Sequence, residues 1–141
     1  MKRLIAFLDS SVIIAGLGSF KASSYAILAL GHNRQVTIVI SQIIRQESQD
    51  RAYKVGQSPT DVDDLLVWAN AKIVGAPTEE LVEKFSAFTP DLNDRHLFAS
   101  CSQIKNSALI SLDKKHVLSQ KGKMSSPPIF SPAEYLEKYF K

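Results

Sequence analysis

Cysteine is almost absent from this chain: Cys101 is the only one in 141 residues. A single thiol excludes an internal disulfide and any cysteine-based zinc site, and it fits a reducing, cytoplasmic setting. Histidine is nearly as scarce. His32, His96 and His116 are scattered, with no His/Cys cluster at metal-ligand spacing. Glycine and proline number six each, which excludes collagen-like and low-complexity architectures. Neither sign of charge dominates: 17 Lys and Arg stand against 14 Asp and Glu, a net +3. That balance permits a nucleic-acid partner without requiring one. Long hydrophobic runs are missing as well. The N-terminal MKRLIAFLDSSVIIAGLGS imitates a secretory leader, but Asp9 sits in its middle. An Asp at the centre of an inserting segment costs about 2.5–3.5 kcal/mol. No other stretch approaches the roughly 18 apolar residues of a membrane span. No membrane association is therefore expected.

What is present is an ordinary globular composition, 45% hydrophobic and 22% charged. The length suits one domain spanning residues 1–141, large enough to bury a core without staples. Short apolar runs alternate with amphipathic stretches. Residues 4–8, 36–40, 72–74 and 108–112 read as strands. Helices are expected over 21–30, from the Ser41 cap to about 54, and over 59–70, 78–88, 93–105 and 131–140. Residues 120–128, QKGKMSSPP, read as a loop. Alternation at this spacing implies crossover connections. The expected fold is therefore α/β, a three-layer α/β/α sandwich around a central parallel sheet. In such sheets ligands bind beyond the carboxyl ends of the strands.

Carboxylates stand at those ends. Asp9 follows the first apolar run in FLDSSV, and Asp113 follows a later one in LISLDKK. Either could simply cap the next helix. Two more acids fall on apolar helix stripes. The stripe Ile40, Ile43 and Ile44 continues to Glu47, seven residues after Ile40, and Leu97, Phe98, Cys101 and Ile104 lead back to Asp94. Asp91 could cap that second helix, with Asp94 three residues on. An inward carboxylate is costly unless it is paired or holds a cation. Four in one pocket would repel one another and retain protons near neutral pH. A divalent cation resolves the conflict, and an all-oxygen donor set selects Mg²⁺ or Mn²⁺.

These four segments resemble the motifs of the PIN domain family, and within it the bacterial VapC-type toxins. The segments are FLDSSVIIAGL with Asp9, SQIIRQE with Glu47, DRHLFASC with Asp94 and LISLDKKH with Asp113. The resemblance spans residues 4–135. It departs mildly at Ser11, two after Asp9, and at Ser111, two before Asp113, while Asp91 is an extra acid. What the resemblance implies is a PIN-like fold and a Mg²⁺- or Mn²⁺-dependent endoribonuclease, the toxin of a toxin–antitoxin pair. Asp9 and Asp113 would be central ligands and catalytic residues. Glu47 and Asp94 would complete the shell, and Ser11, Ser111 and Asp91 would support it from behind. RNA would be the substrate, an antitoxin protein a partner and a homodimer the assembly.

An acid pocket repels RNA, so a basic rim is expected to hold the strand, with Arg95, Lys114 and Lys115 foremost. Lys21, Arg34, Arg45, Arg51, Lys54, Lys121 and Lys123 are further candidates. Setting the four candidate carboxylates aside leaves ten acidic residues against 17 basic ones. The modest net charge thus averages two opposite regions. A haloacid-dehalogenase-type phosphatase would need an Asp where Ser11 stands, and a receiver domain would need an acidic neighbour beside Asp9. The remaining alternative is a catalytically idle PIN-like module that binds RNA or assembles with partners.

Overall fold

The structure is a computed structural model that describes residues 3–124 and 126–141. Five parallel strands form one sheet in the order β3-β2-β1-β4-β5. They are β1 (Leu4–Leu8), β2 (Val36–Ser41), β3 (Lys72–Val74), β4 (Ser107–Ile110) and β5 (Ile129–Phe130). The N-terminal apolar run that imitates a leader is thus the middle of the sheet. Ala6, Phe7 and Leu8 have no exposure, as a strand covered on both faces requires. Truncating such a phenylalanine to alanine costs about 3–5 kcal/mol.

Four helices precede β3: α1 (Ser10–Gly18), α2 (Ser23–His32), α3 (Gln42–Arg51) and α4 (Pro59–Trp68). Three more follow: α5 (Glu79–Glu83), α6 (Leu92–Ser102) and α7 (Pro132–Phe140). The chain steps from β1 to β2 to β3 in one direction and then returns across the sheet to β4. Right-handed crossovers therefore place α1–α4 on one face and α5–α6 on the other, giving three layers. Gly16 lets α1 and α2 approach closely, since a β-carbon there would lie 2.6 Å from Leu28 Cδ1.

Helix starts follow their sequence signals. Ser58 and Ser131 each form a reciprocal cap with the acid three residues on, Asp61 and Glu134, ahead of a proline in the first turn. Ser41 Oγ accepts from the Ile44 amide at 3.1 Å. Several boundaries differ from expectation. The helix expected from 21 begins at Ser23, and the one expected over 78–88 is regular only through Glu83 before breaking into turns. There Phe85 and Phe88 turn inward, and Phe85 stacks on Phe98. The strand expected over 108–112 runs from Ser107 to Ile110; Ser111 still bonds to Phe130 of β5, but the Leu112 amide leaves the ladder for Ser11 Oγ. Helix α1, strand β5 and a 3₁₀ turn over Leu118–Gln120 were not expected. The stretch 120–128 is a loop with a bridge between Lys121 and Met124; Ser125 within it lies outside the described residues. Among the described residues no single helix is long and apolar enough to cross a membrane.

Strands β1 and β4 are neighbours whose onward connections run to opposite faces. The register pairs Leu8 with Ile110. A crevice opens where such connections diverge, and Asp9 and Ser111 are the next residues on each chain.

Candidate functional site

Beyond the ends of β1 and β4 lies a cavity of about 260 Å³. Asp9, Glu47, Asp91, Asp94 and Asp113 all line it, with Arg51 and His116 as its only basic groups among the described residues and Ile44 and Leu97 as apolar wall. The sequence thus places its four candidate acids on four different elements, and the fold brings them to one site.

Asp9 is both a helix cap and a cavity wall. Its Oδ1 accepts from the Ser10 amide at 2.7 Å, starting α1. Its Oδ2 accepts from Ser111 Oγ at 2.6 Å and from Ser11 Oγ at 3.3 Å. Each serine also accepts a backbone amide: Asp113 N reaches Ser111 Oγ at 3.0 Å, and Leu112 N reaches Ser11 Oγ at 3.1 Å. The two hydroxyls therefore join the Asp9 carboxylate to the loop that carries Asp113. Burial raises the Asp9 pKa above its ordinary value; the hydroxyl and amide donors oppose this, and the nearby Asp113 adds to it.

Asp113 opens the turn after β4. It accepts the His116 amide at 2.9 Å and lies 3.3 Å from His116 Nδ1. Lys114 and Lys115 are exposed directly behind it. Glu47 sits on α3 with only 19% of its side chain exposed, its carboxylate 3.5 Å from Arg51 Nη2 one turn on. Burial raises its pKa; Arg51 lowers it, while Asp9, Asp94 and Asp91 push it further up. Asp91 caps α6 by accepting from the Asn93 and Asp94 amides at 2.8 and 3.4 Å. Asp94 then lies in the first turn beside buried Leu97 and Phe98. Its pKa is pushed up to about 6, by burial first and by Asp91 and Asp113 next.

Three carboxyls in one cavity have raised pKa values, by burial first and by one another's charge second. The donors are hard oxygens throughout, which fits a cation such as Mg²⁺ or Mn²⁺. Among the described residues no three His, Cys, Asp or Glu side chains already stand in ion-holding geometry. Glu47 leans on Arg51, and Asp9 on its serines. Closing them on an ion requires side-chain movement.

The basic candidates separate. Arg95 donates from Nε to the Thr89 carbonyl at 2.8 Å and from Nη2 to the Pro90 carbonyl at 3.4 Å, bracing the loop before α6. Arg45 is held bidentately by Asp63, and Lys121 by Glu134. Arg51 donates to Ser10 Oγ at 3.3 Å inside the cavity. Ser10 and Asn93 are cavity residues that sequence reasoning missed. His116, one of the scattered histidines, lines the same wall. The Arg51–Glu47 pair had a readable signal, since opposite charges four apart on a helix meet.

No family sequence model matches this chain, and no curated protein sequence matches it. Solved structures do match in fold. VapBC2 from Rickettsia felis, in a crystal structure bound to a DNA fragment from its promoter, aligns at TM-score 0.62 and 16% identity, covering 91% of this chain and 98% of that one. PAE2754 from Pyrobaculum aerophilum aligns at 0.64 and 14%, covering 96% and 88%. The PIN domain of T. brucei RRP44 aligns at 0.55 and 14%, covering 97% and 81%. The architecture is that of the PIN domain, as the four motifs implied.

Proposed function

We propose that this PIN-fold chain is a Mg²⁺- or Mn²⁺-dependent endoribonuclease and the toxin of a toxin–antitoxin pair. The observation that carries the reading is the meeting of Asp9, Glu47, Asp94 and Asp113 at the β1–β4 switch point, in a cavity with too few basic groups to balance them. Likeness in fold to a VapBC2 complex and to the RRP44 PIN domain supports it.

Asp9 and Asp113 would hold the cation centrally, with Glu47 and Asp94 completing its shell. A bound divalent ion supplies Lewis-acid chemistry, neutralising charge on the phosphoryl oxygens and acidifying water. The chain's own residues do the rest. Ser111 and Ser11 hold the Asp9 carboxylate in one orientation, so Asp9 is the fixed member on which the other acids would close. Arg51 and His116 limit the repulsion among the acids before loading. Lys114 and Lys115, exposed beside Asp113, would meet the phosphates of the strand, giving affinity without reading sequence. An antitoxin would cover this mouth, and two copies would pair; both belong to the proposal.

The test is cleavage of single-stranded RNA by the purified full chain. Cleavage is expected with Mn²⁺ or Mg²⁺, lost with EDTA and lost in Asp9→Asn. Tight RNA binding with no cleavage under either ion would instead favour the idle binding module.

A further inference from the structure

A second cavity, of about 300 Å³, opens at the opposite edge of the sheet, where the strands begin. Arg3 immediately precedes β1, Thr37 is the second residue of β2 and Lys72 opens β3. Arg34 and Asn70 complete the wall. A five-residue strand separates this edge from the acid cavity, roughly 15–20 Å. Three cationic residues line the space, and among the described residues no carboxylate does and none of the three belongs to an ion pair.

Arg3 is the informative residue. Its Nε donates to Thr37 Oγ1 at 2.6 Å and its Nη2 to the Arg34 carbonyl at 3.2 Å. Both partners are neutral, so the guanidinium is fixed in place while its charge stays uncompensated. Its remaining N–H donors have no described partner. The wall behind it is also tied down. Asn70 Nδ2 donates to the carbonyls of Gly31 and His32 at 3.2 and 3.3 Å, joining the ends of α2 and α4. A β-carbon at Gly31 would lie 2.5 Å from the Ala69 carbonyl oxygen, so only glycine permits that approach. An exposed arginine ordinarily points into water or towards a carboxylate. One held by neutral groups, with Arg34 and Lys72 lining the same space, has already lost the freedom that anion binding would cost. Planar guanidinium forks match tetrahedral oxyanions, and three positive charges suit a multiply charged anion better than one carboxylate.

We propose that this cavity is a phosphate-binding site separate from the acid cavity. The phosphate comes either from the backbone of a nucleic-acid strand or from free phosphate ion. The site needs neither the metal nor the cleavage reaction.

The probe is inorganic phosphate at about 5 mM, near the range in which weak specific sites fill, read by backbone amide shifts of the full chain. Shifts at Gly31, Thr37 and Asn70 are expected, and their loss in Arg34→Asn/Lys72→Gln. Asn suits the left-handed backbone of Arg34, whose φ is +61°, so the fold should survive. Lys84→Gln/Lys105→Gln removes the same charge elsewhere and should retain the shifts. Binding of a single-stranded RNA in EDTA then separates the sources. If the strand backbone is the ligand, Arg34→Asn/Lys72→Gln weakens binding roughly 10–30-fold at 0.1 M salt and lowers the salt slope by about 1.4. If only the phosphate shifts are lost and RNA affinity holds, free phosphate is the ligand. The inference is overturned if phosphate leaves those amides unmoved, or if the control pair loses the shifts equally. Asp9→Asn, which tests the acid cavity, should leave the phosphate titration unchanged, so the two readings fail separately.

Discussion

Ser111 Oγ donates to Asp9 Oδ2 at 2.6 Å, joining residues 102 apart in sequence across the β1–β4 junction. The same hydroxyl accepts the Asp113 amide. One side chain thus sets the orientation of one candidate ligand and the backbone of another.

Ser111→Ala is expected to lower cleavage and metal affinity by about 10–100-fold, the usual cost of losing a group that orients a metal ligand. Ser111→Thr, which keeps the hydroxyl, should retain most activity. Rate measured against Mn²⁺ concentration checks both: the alanine variant should need more metal, while a curve superimposable on wild type would refute the role given to this hydroxyl.

Without divalent ions, stability should fall as pH rises from about 4 to 6. Asp94 has a folded pKa of about 6 against an ordinary value of 3.8. Between those values the folded state binds more protons than the unfolded one, so raising pH favours unfolding. Asp9 and Glu47 are shifted in the same direction. Asp94→Asn should flatten this slope and raise metal-free stability near pH 8 by about 1 kcal/mol, after allowance for solvent screening. Thermal melts in EDTA across pH 4–8 measure it.

These carboxylates were legible for different reasons. Asp9 and Asp113 each end an apolar run, and in a parallel sheet the run itself points to its carboxyl end. Glu47 and Asp94 were legible only through helical period, because each breaks a stripe that should be apolar. Helix α1 was not legible: SSVIIAGLG is apolar on nearly every side, so no 3.6-residue rhythm separates it from a buried strand. Strand β5 has two residues behind a pair of prolines, too few for any pattern. The contact of Ser10 with Arg51, 41 residues apart, is set by the packing of α1 on α3 and has no local signature.

Arg51 competes with the proposed cation for Glu47. Its guanidinium lies 3.5 Å from that carboxylate and is about half exposed. Arg51→Gln should lower metal-free stability, because the acids then repel with less compensation, yet tighten Mn²⁺ binding roughly three- to tenfold, about 1 kcal/mol. Calorimetric titration with Mn²⁺ against wild type reads the affinity. Weaker metal binding in the variant would place Arg51 on the side of the site rather than against it.

Cys101 offers a readout of the site from outside it. The thiol has no exposure, and burial pushes its pKa up to about 12, with the Ser107 hydroxyl 3.3 Å away opposing the shift. At pH 8 the folded protein therefore presents almost no thiolate, and a thiol reagent should label this sole cysteine only when the chain opens. A ligand that binds the folded state alone stabilises it against such opening by RT ln(1 + [L]/Kd), lowering the open population by the factor 1 + [L]/Kd. Mn²⁺ at a hundred times its Kd should then slow labelling about 100-fold in the regime where reclosing outpaces reaction. Asp9→Asn should lose that protection while keeping a slow metal-free rate. Labelling that ignores Mn²⁺ in the wild-type chain would mean that the ion does not bind the folded protein at the concentrations used, and the acid cavity would need a different counter-charge.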